Sequence, residues 1–233
     1  MKFLEFPSLD ILNKHLAFDT VDGQIVGRVE AYSCKSAGSD KKLYKQLESR
    51  YQEDLSSYSL SPDENLHLIV SPFGPLDQPS SRKALFYLIS ILNASFPDYD
   101  FSNLRSEQFC KLASPLYVIS YINTTLLNMG RINLVHQLRF WDAVDEAIVV
   151  ADCEVYSYDP DVDSDPYAEE GSIWSFNYFL YNRKLKRILF ISFSGQRSQL
   201  ASMIESESEL SELENDKRSP YAYEDMVMMH MDI

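Results

Sequence analysis

The sequence predicts an α/β protein of the α+β type: a single domain with a central antiparallel sheet covered by helices on both faces, followed by a disordered acidic tail. Three observations carry this. The segments 172–182 and 185–193 are apolar at both odd and even positions, so strands made of them need cover on both sides. Three upstream segments carry apolar residues at helical spacing with matching start or stop signals. With 233 residues, 45% of them hydrophobic and 13% aromatic, the chain can fill one core, whereas from about 196 onward it offers almost nothing to bury. The expected division is a globular domain over 1–195 and a flexible acidic tail over 196–233.

In chain order, "SLDILNKHLAF" places Ser8 as an N-cap and Leu9, Leu12 and Leu16 at helical spacing, which predicts a short helix. "QIVGRVEAY" alternates Ile25, Val29 and Ala31 with Arg28 and Glu30, the pattern of a half-exposed strand. The polar stretch 39–56 holds Leu43, Leu47 and Tyr51 four apart, a narrow-faced surface helix. From about 56 to 81 Ser and Pro crowd together, predicting a mobile connection. "RKALFYLISILNASF" is a helix apolar on nearly every side, which Pro97 ends; Asp98, Tyr99 and Asp100 then fall in an exposed turn, with Tyr99 and Phe101 as alternative anchors of that turn to the core.

"SPLYVISYINTTLLNMG" combines a Ser114 cap, Pro115 at the first helical position and Gly130 as a left-handed stop. "VHQLRFWDAVDEAIV" repeats the helical pattern through Leu138, Trp141, Val144 and Ile148, and "ADCEVYSYDP" then changes to a period of two. In the next strand Trp174, Phe176, Tyr178 and Leu180 point one way and Ile173, Phe179 and Tyr181 the other, and Asn182 to Lys184 turn the chain into a second such strand. Trp174, Phe176 and Tyr178 are read as core.

The formal charge is −14, which repels phosphate backbones, so direct nucleic-acid binding is disfavoured and a basic partner surface is the natural complement. No apolar run is long enough to span a bilayer, and Glu5, Pro7 and Asp10 interrupt the N-terminal stretch where a secretion signal needs continuity, so a soluble, intracellular protein is expected. Cys34, Cys110 and Cys153 are odd in number and far apart, which argues against a disulfide framework or a zinc knuckle. The four histidines, His15, His67, His136 and His230, make no i, i+4 pair, and no glycine-rich phosphate cradle exists. Cys153 lies between Asp152 and Glu154, charges that push its thiol pKa upward, the wrong direction for a nucleophile. No enzyme and no cofactor is expected.

Between Asp142 and Glu170 stand eleven acids and no basic residue. Within that run Asp159, Asp161, Asp163, Asp165 and Glu170 fall at the oxygen-ligand positions of a calcium loop, but Ser164 replaces the glycine of its sharp turn and the flanks read as strands. A solvated acidic loop is the plainer reading. Together with Glu169, these residues, Asp98, Tyr99 and Asp100 form a candidate partner-binding surface. Glu205, Glu207, Glu209, Glu212 and Glu214 of the tail would extend it. Arg183, Lys184, Lys186 and Arg187 satisfy a minimal nuclear import signal and equally serve to solubilise a hairpin tip. Ser61, Ser71 and Ser219 each precede a proline and are candidate sites for a proline-directed kinase; Ser202, Ser206 and Ser211 each have Glu three residues on.

Three blocks together resemble a known family: "IVGRVEAYSCKSAGSDKKLYKQL", "RKALFYLISILNASFPDYDFSNLRSEQF" and "WDAVDEAIVVADCEVYSYDPDVDSDPYAEEGSIWSFNYFLYNRKLKRILFISF". In order they look like the three boxes of the Maf-type repressor of RNA polymerase III transcription, with "PDYDFS" and "WSFNYFLYNRKLKR" the most specific strings. The resemblance implies a non-enzymatic repressor that binds the polymerase at its clamp and winged-helix subunit. There it would block engagement with TFIIIB, chiefly the TFIIB-related subunit. It further implies a protein inactivated by phosphorylation under TOR and protein kinase A signalling, shuttling between cytoplasm and nucleus, and released to the polymerase by phosphatases under stress. Many relatives carry a longer Ser-rich insertion between the first two boxes; here about 25 residues stand there.

The charge argument and the resemblance meet at one expectation: an acidic, monomeric domain with an acidic tail occupies a basic cleft by the complementarity that DNA uses. The rival from another class is an acidic chaperone or adaptor for basic proteins, which would depend on the acidic segments alone.

Overall fold

A computed structural model describes residues 1–20, 23–35, 38, 40–58, 71–160 and 171–197. Among them the chain runs β1 (Lys2–Leu4), α1 (Pro7–Asn13), β2 (Ala17–Asp19), β3 (Gly23–Ser33), α2 (Asp40–Tyr58), α3 (Pro79–Ser95), β4 (Phe109–Leu112), α4 (Pro115–Asn128), α5 (Asn133–His136), α6 (Phe140–Ile148), β5 (Glu154–Tyr158), β6 (Ser172–Asn182) and β7 (Arg187–Arg197). Every strand pairing is antiparallel, in the order β1-β3-β7-β6-β5-β4, with β2 also on β3.

The sheet separates two cores, because each of its central strands is apolar on both sides. Phe176, Tyr178 and Leu180 of β6 and Leu189, Ile191 and Phe193 of β7 join one core with α1, α4, α5 and α6. Phe179 and Tyr181 of β6 and Ile188 and Phe190 of β7 join the other with α3, while Leu43 and Leu47 of α2 pack against it. The expected sandwich of helix, sheet and helix is the observed one. Phe179 and Phe190, stacked with centroids 4.8 Å apart, are both fully buried; aromatic pairs of this kind add about 0.5–1.5 kcal/mol beyond their burial.

The N-terminal segment hangs from a single edge of β3. β1 pairs with residues 31–33 and β2 with 24–26. Between them the α1–β2 connection takes the place of a strand. Gly27 donates its N–H to the Leu16 carbonyl at 2.8 Å, and Val29 exchanges two hydrogen bonds with the Asn13 side chain, each 2.8 Å. Gly27 is required by closeness: a Cβ there would lie 2.6 Å from Phe193 Cε1 and 2.9 Å from Leu16 Cβ.

Several expectations change in detail. The first helix stops at Asn13, and its expected last turn becomes β2, where Phe18 enters the core. The single helix expected over 135–149 is broken into α5 and α6 by Arg139, which adopts a left-handed conformation (φ 51°) and swings Phe140 into full burial. In the stretch expected as a mobile connection, α2 reaches Tyr58 and α3 already begins at Pro79. The turns over 71–78 are seated by buried Phe73 and Leu76; residues 59–70 lie outside the described structure. α4 follows its signals closely: the Ser114 hydroxyl accepts from the Leu116 N–H at 3.2 Å, and Gly130 has φ 67°.

Candidate functional site: exposed acids and a neutralised basic hairpin

The tight turn between β6 and β7 follows from Asn182, whose carboxamide oxygen accepts from the Leu185 N–H at 3.0 Å while its amide nitrogen donates to the Ile148 carbonyl at 2.8 Å. The hairpin tip is thereby fastened to the end of α6. The same register sets Glu154 opposite Tyr181, so the acids at the start of β5 stand beside the cations of the tip. Arg183 grips Glu154 with two hydrogen bonds, 2.8 and 3.1 Å, and Lys111 of β4 reaches it at 3.3 Å. Lys184 pairs with Asp152 at 3.1 Å, and Arg187 donates to the Ala147 carbonyl in the last turn of α6 at 3.1 Å, where the helix dipole favours a cation.

Three of the four cations in the basic cluster therefore serve the fold's own acids and helix end; Lys186 makes no side-chain ion pair among the described residues. Burial works against a charge on Glu154. The hydrogen bonds from Arg183 and Tyr156 and the charges of Arg183 and Lys111 outweigh it, holding its carboxyl down at about 2. Tyr156, whose hydroxyl donates to Glu154 at 2.6 Å, is pushed above its ordinary range by burial first and by that bond second. Sequence reasoning missed this network. A cross-strand pairing between residues 29 apart leaves no local periodic mark.

The acidic run divides accordingly. Asp142 pairs with Arg139 at 2.5 Å, Asp145 accepts from the Val150 N–H at 2.8 Å, and Asp152 and Glu154 are held as described. Asp159, by contrast, is exposed. Asp161, Asp163, Asp165, Glu169 and Glu170 lie outside the described residues, as do Ser61, Ser219, Ser202, Ser206, Ser211 and the tail acids Glu205, Glu207, Glu209, Glu212 and Glu214.

The turn after α3 is brought to the same neighbourhood. Phe101 is buried; its N–H donates to Asn93 Oδ1 at 2.8 Å and its ring meets Tyr158 edge-on at 6.3 Å. Asp98 and Asp100 stand exposed beside it, and Tyr99 is half-buried with its ring 6.5 Å from Phe101. Asp100 accepts from the Ser102 N–H at 2.9 Å, and its hydrogen bonds with Ser102 hold its carboxyl below the ordinary range. Asp159, next to Tyr158, donates its N–H to Gln108 at 3.1 Å. Through the Phe101–Tyr158 contact, two acidic stretches about 60 residues apart in sequence flank one candidate rim. Exposed Arg105 lines a hollow with Asp159, Glu107, Gln108 and Pro160.

The remaining sequence-derived residues lie as follows. Ser71 is half-buried, its hydroxyl accepting from the Phe73 N–H at 3.2 Å. Phe176 and Tyr178 are buried and Trp174 packs against the same core. Burial and then Asp152 and Asp145 push the Cys153 thiol up to about 12, and burial pushes Cys34 up to about 11, so both thiols stay protonated near neutrality. Among the described residues no three His, Cys, Asp or Glu side chains gather as a metal site, and no helix is long and apolar enough to cross a membrane.

Comparison with known proteins places this arrangement. The chain is 48% identical over 198 residues to "Repressor of RNA polymerase III transcription maf1" of Schizosaccharomyces pombe, covering 84% of this chain and 83% of that one. It is 36% identical over 231 residues to "Repressor of RNA polymerase III transcription" of Dictyostelium discoideum, covering 82% and 83%. The crystal structure of citrus MAF1 in space group P 31 2 1 superposes with a TM-score of 0.60 at 34% identity, covering 82% of this chain and 98% of that one. A family model described as "Maf1 regulator" matches residues 25–192, a span containing most of both cores, the Glu154–Arg183 network and the exposed acids Asp98, Asp100 and Asp159, and the chain belongs to that family.

Proposed function

We propose that this chain represses transcription by RNA polymerase III, as its relatives are named for doing, and that it does so without chemistry of its own, by binding the polymerase. The carrying observation is the separation of charge. The basic cluster at the hairpin is largely neutralised internally, while Asp98, Asp100 and Asp159 are left exposed on a chain with formal charge −14, the neighbours Phe101 and Tyr158 joining their two stretches. A cleft built to hold nucleic acid is basic, and an acidic body of fixed shape competes for it through the same attraction.

In this reading the rim, the remaining acids of the 142–170 run and the tail contribute steering. The folded boxes supply the shape that occupies the clamp and winged-helix region and keeps out TFIIIB with its TFIIB-related subunit. Phosphorylation under nutrient and TOR control, at Ser61, Ser71 or Ser219, would add charge and alter the balance between cytoplasm and nucleus. At Ser71 a phosphate would also disturb the turn that seats Phe73.

The test is promoter-dependent transcription of a tRNA gene from purified components. Added unmodified protein is expected to suppress it, with suppression weakening as salt rises because screening shortens the reach of surface charge. No suppression at large molar excess overturns the proposal. Suppression by the isolated acidic segments alone would favour an acidic chaperone or adaptor instead.

A further inference from the structure

On the face of the molecule carrying α2 and α3, a cavity opens between the two helices and the loop 102–106. Tyr44, Leu47, Tyr51 and Phe86 give it an apolar and aromatic wall, and Glu48, Arg50, Asp54, Arg82, Arg105 and Ser106 supply its polar lining. Arg50 is half-buried and clamps the loop, donating to the carbonyls of Ser102 at 3.3 Å and Leu104 at 2.8 Å. That clamp fixes the very next residue, Arg105, close enough for the two like charges to oppose each other. Burial first, and then the Arg105 charge, pull the Arg50 guanidinium below its ordinary range.

The third cation of the cavity is satisfied. Arg82 pairs with Glu48 at 2.8 Å, donates to the carbonyls of Leu76 and Asp77, and lies 4.5 Å over the Tyr51 ring. Arg105 has no side-chain hydrogen bond among the described residues. Asp54 also lines the cavity and offsets part of the Arg50 charge. Beside these groups the Ser106 hydroxyl is buried, its residue 2% exposed, and makes no hydrogen bond among the described residues. A buried hydroxyl left unpaired costs about 1–3 kcal/mol. Three arginines and two acids, Glu48 and Asp54, line the cavity, so a chain so acidic overall has here a cation in excess.

We propose that Arg50, Arg105 and Ser106 form a binding site for a phosphomonoester carried on an aromatic or aliphatic stem. The stem enters between Leu47, Tyr51 and Phe86, and the three terminal oxygens meet the two guanidinium groups and the hydroxyl. A phosphate suits this set better than a carboxylate. Arg50 keeps three N–H groups beyond its two loop bonds, Arg105 five, and Ser106 adds one, more donors than two carboxylate oxygens can take up. The site is separate from the acidic rim, though Arg105 borders both.

The experiment is calorimetric titration of the full chain with phenyl phosphate, with inorganic phosphate and benzoate as the other arms and amide chemical-shift mapping to locate binding. Phenyl phosphate is expected to saturate, to bind about tenfold tighter than inorganic phosphate because its ring is buried, and to shift the amides of 102–106. Arg105→Gln is expected to weaken it about tenfold and Ser106→Ala by about fivefold. Arg105 is exposed, so an unchanged melting temperature certifies that its variant is folded. The proposal is overturned by absence of saturation, by benzoate matching phenyl phosphate, by shifts confined elsewhere, or by Arg105→Gln binding like the parent.

Discussion

Val29, in the middle of β3, has its backbone hydrogen bonds toward one edge completed by the side chain of Asn13, two contacts of 2.8 Å that stand where a neighbouring strand would be. The carboxamide carries a donor and an acceptor at the spacing of a peptide group, so it closes the gap between β1 and β2 without a strand. Asn13→Ala is expected to destabilise the protein by about 2–3 kcal/mol, since both Val29 groups lose their partner. Asn13→Asp, which keeps the acceptor but sets an oxygen against the Val29 carbonyl, should not recover that loss. Urea denaturation of the three proteins measures it; equal midpoints would refute the bridge.

Gly27 lies on the same edge with Phe193 and Leu16 closer than any Cβ tolerates. Gly27→Ala is expected to cost about 1–3 kcal/mol through overpacking, despite the general preference for Ala over Gly in ordered structure. A melting temperature at or above the parent's would show that the neighbours yield.

The ion pair between Glu154 and Arg183 gives a dependence on acid. The folded carboxyl sits near 2, below its ordinary 4.5, so its contribution to stability is complete above about 4.5 and is lost as pH falls from there toward 2. Being partly exposed, the pair is worth about 1 kcal/mol at most. Glu154→Gln should therefore be less stable than the parent at neutral pH and converge with it by about pH 2. Parallel stability curves over that window would contradict the assignment.

At the rim, the double change Asp98→Asn with Asp100→Asn is expected to leave thermal stability within about 0.5 kcal/mol of the parent, because both side chains are exposed. It should also weaken polymerase repression and reduce its sensitivity to salt. Phe101→Ala should do the reverse, losing about 3–5 kcal/mol of stability through the emptied contact with Tyr158. If the Asn variant loses stability with repression intact, those acids are structural.

How much of this was legible before the coordinates depended on the range of the pattern. The two-sided strands β6 and β7 announced a covered sheet because apolar residues fall on both faces over 172–182 and 185–193. Ser114, Pro115 and Gly130 announced α4 because capping is local. β1, β2 and β4 span three, three and four residues, too few to display a period, and exist only because a longer strand waits beside each. The break at Arg139 was hidden for another reason: its flanking apolar residues keep helical spacing while the backbone at one position does not. At the site, the acidic character of 142–170 was plain from composition. The consumption of Asp142, Asp145, Asp152 and Glu154 by Arg139, Val150, Lys184 and Arg183 required knowing how the chain folds back on itself.

The sheet order has a further consequence for how the protein is made. β7, the last described strand, lies between β3 and β6, so neither core can close until residues 187–197 have emerged from the ribosome. A nascent chain stopped anywhere upstream would present two half-built apolar surfaces and a β3 with the edge that meets β7 left open, a species with every reason to aggregate or be degraded and none to act as a partly working fragment.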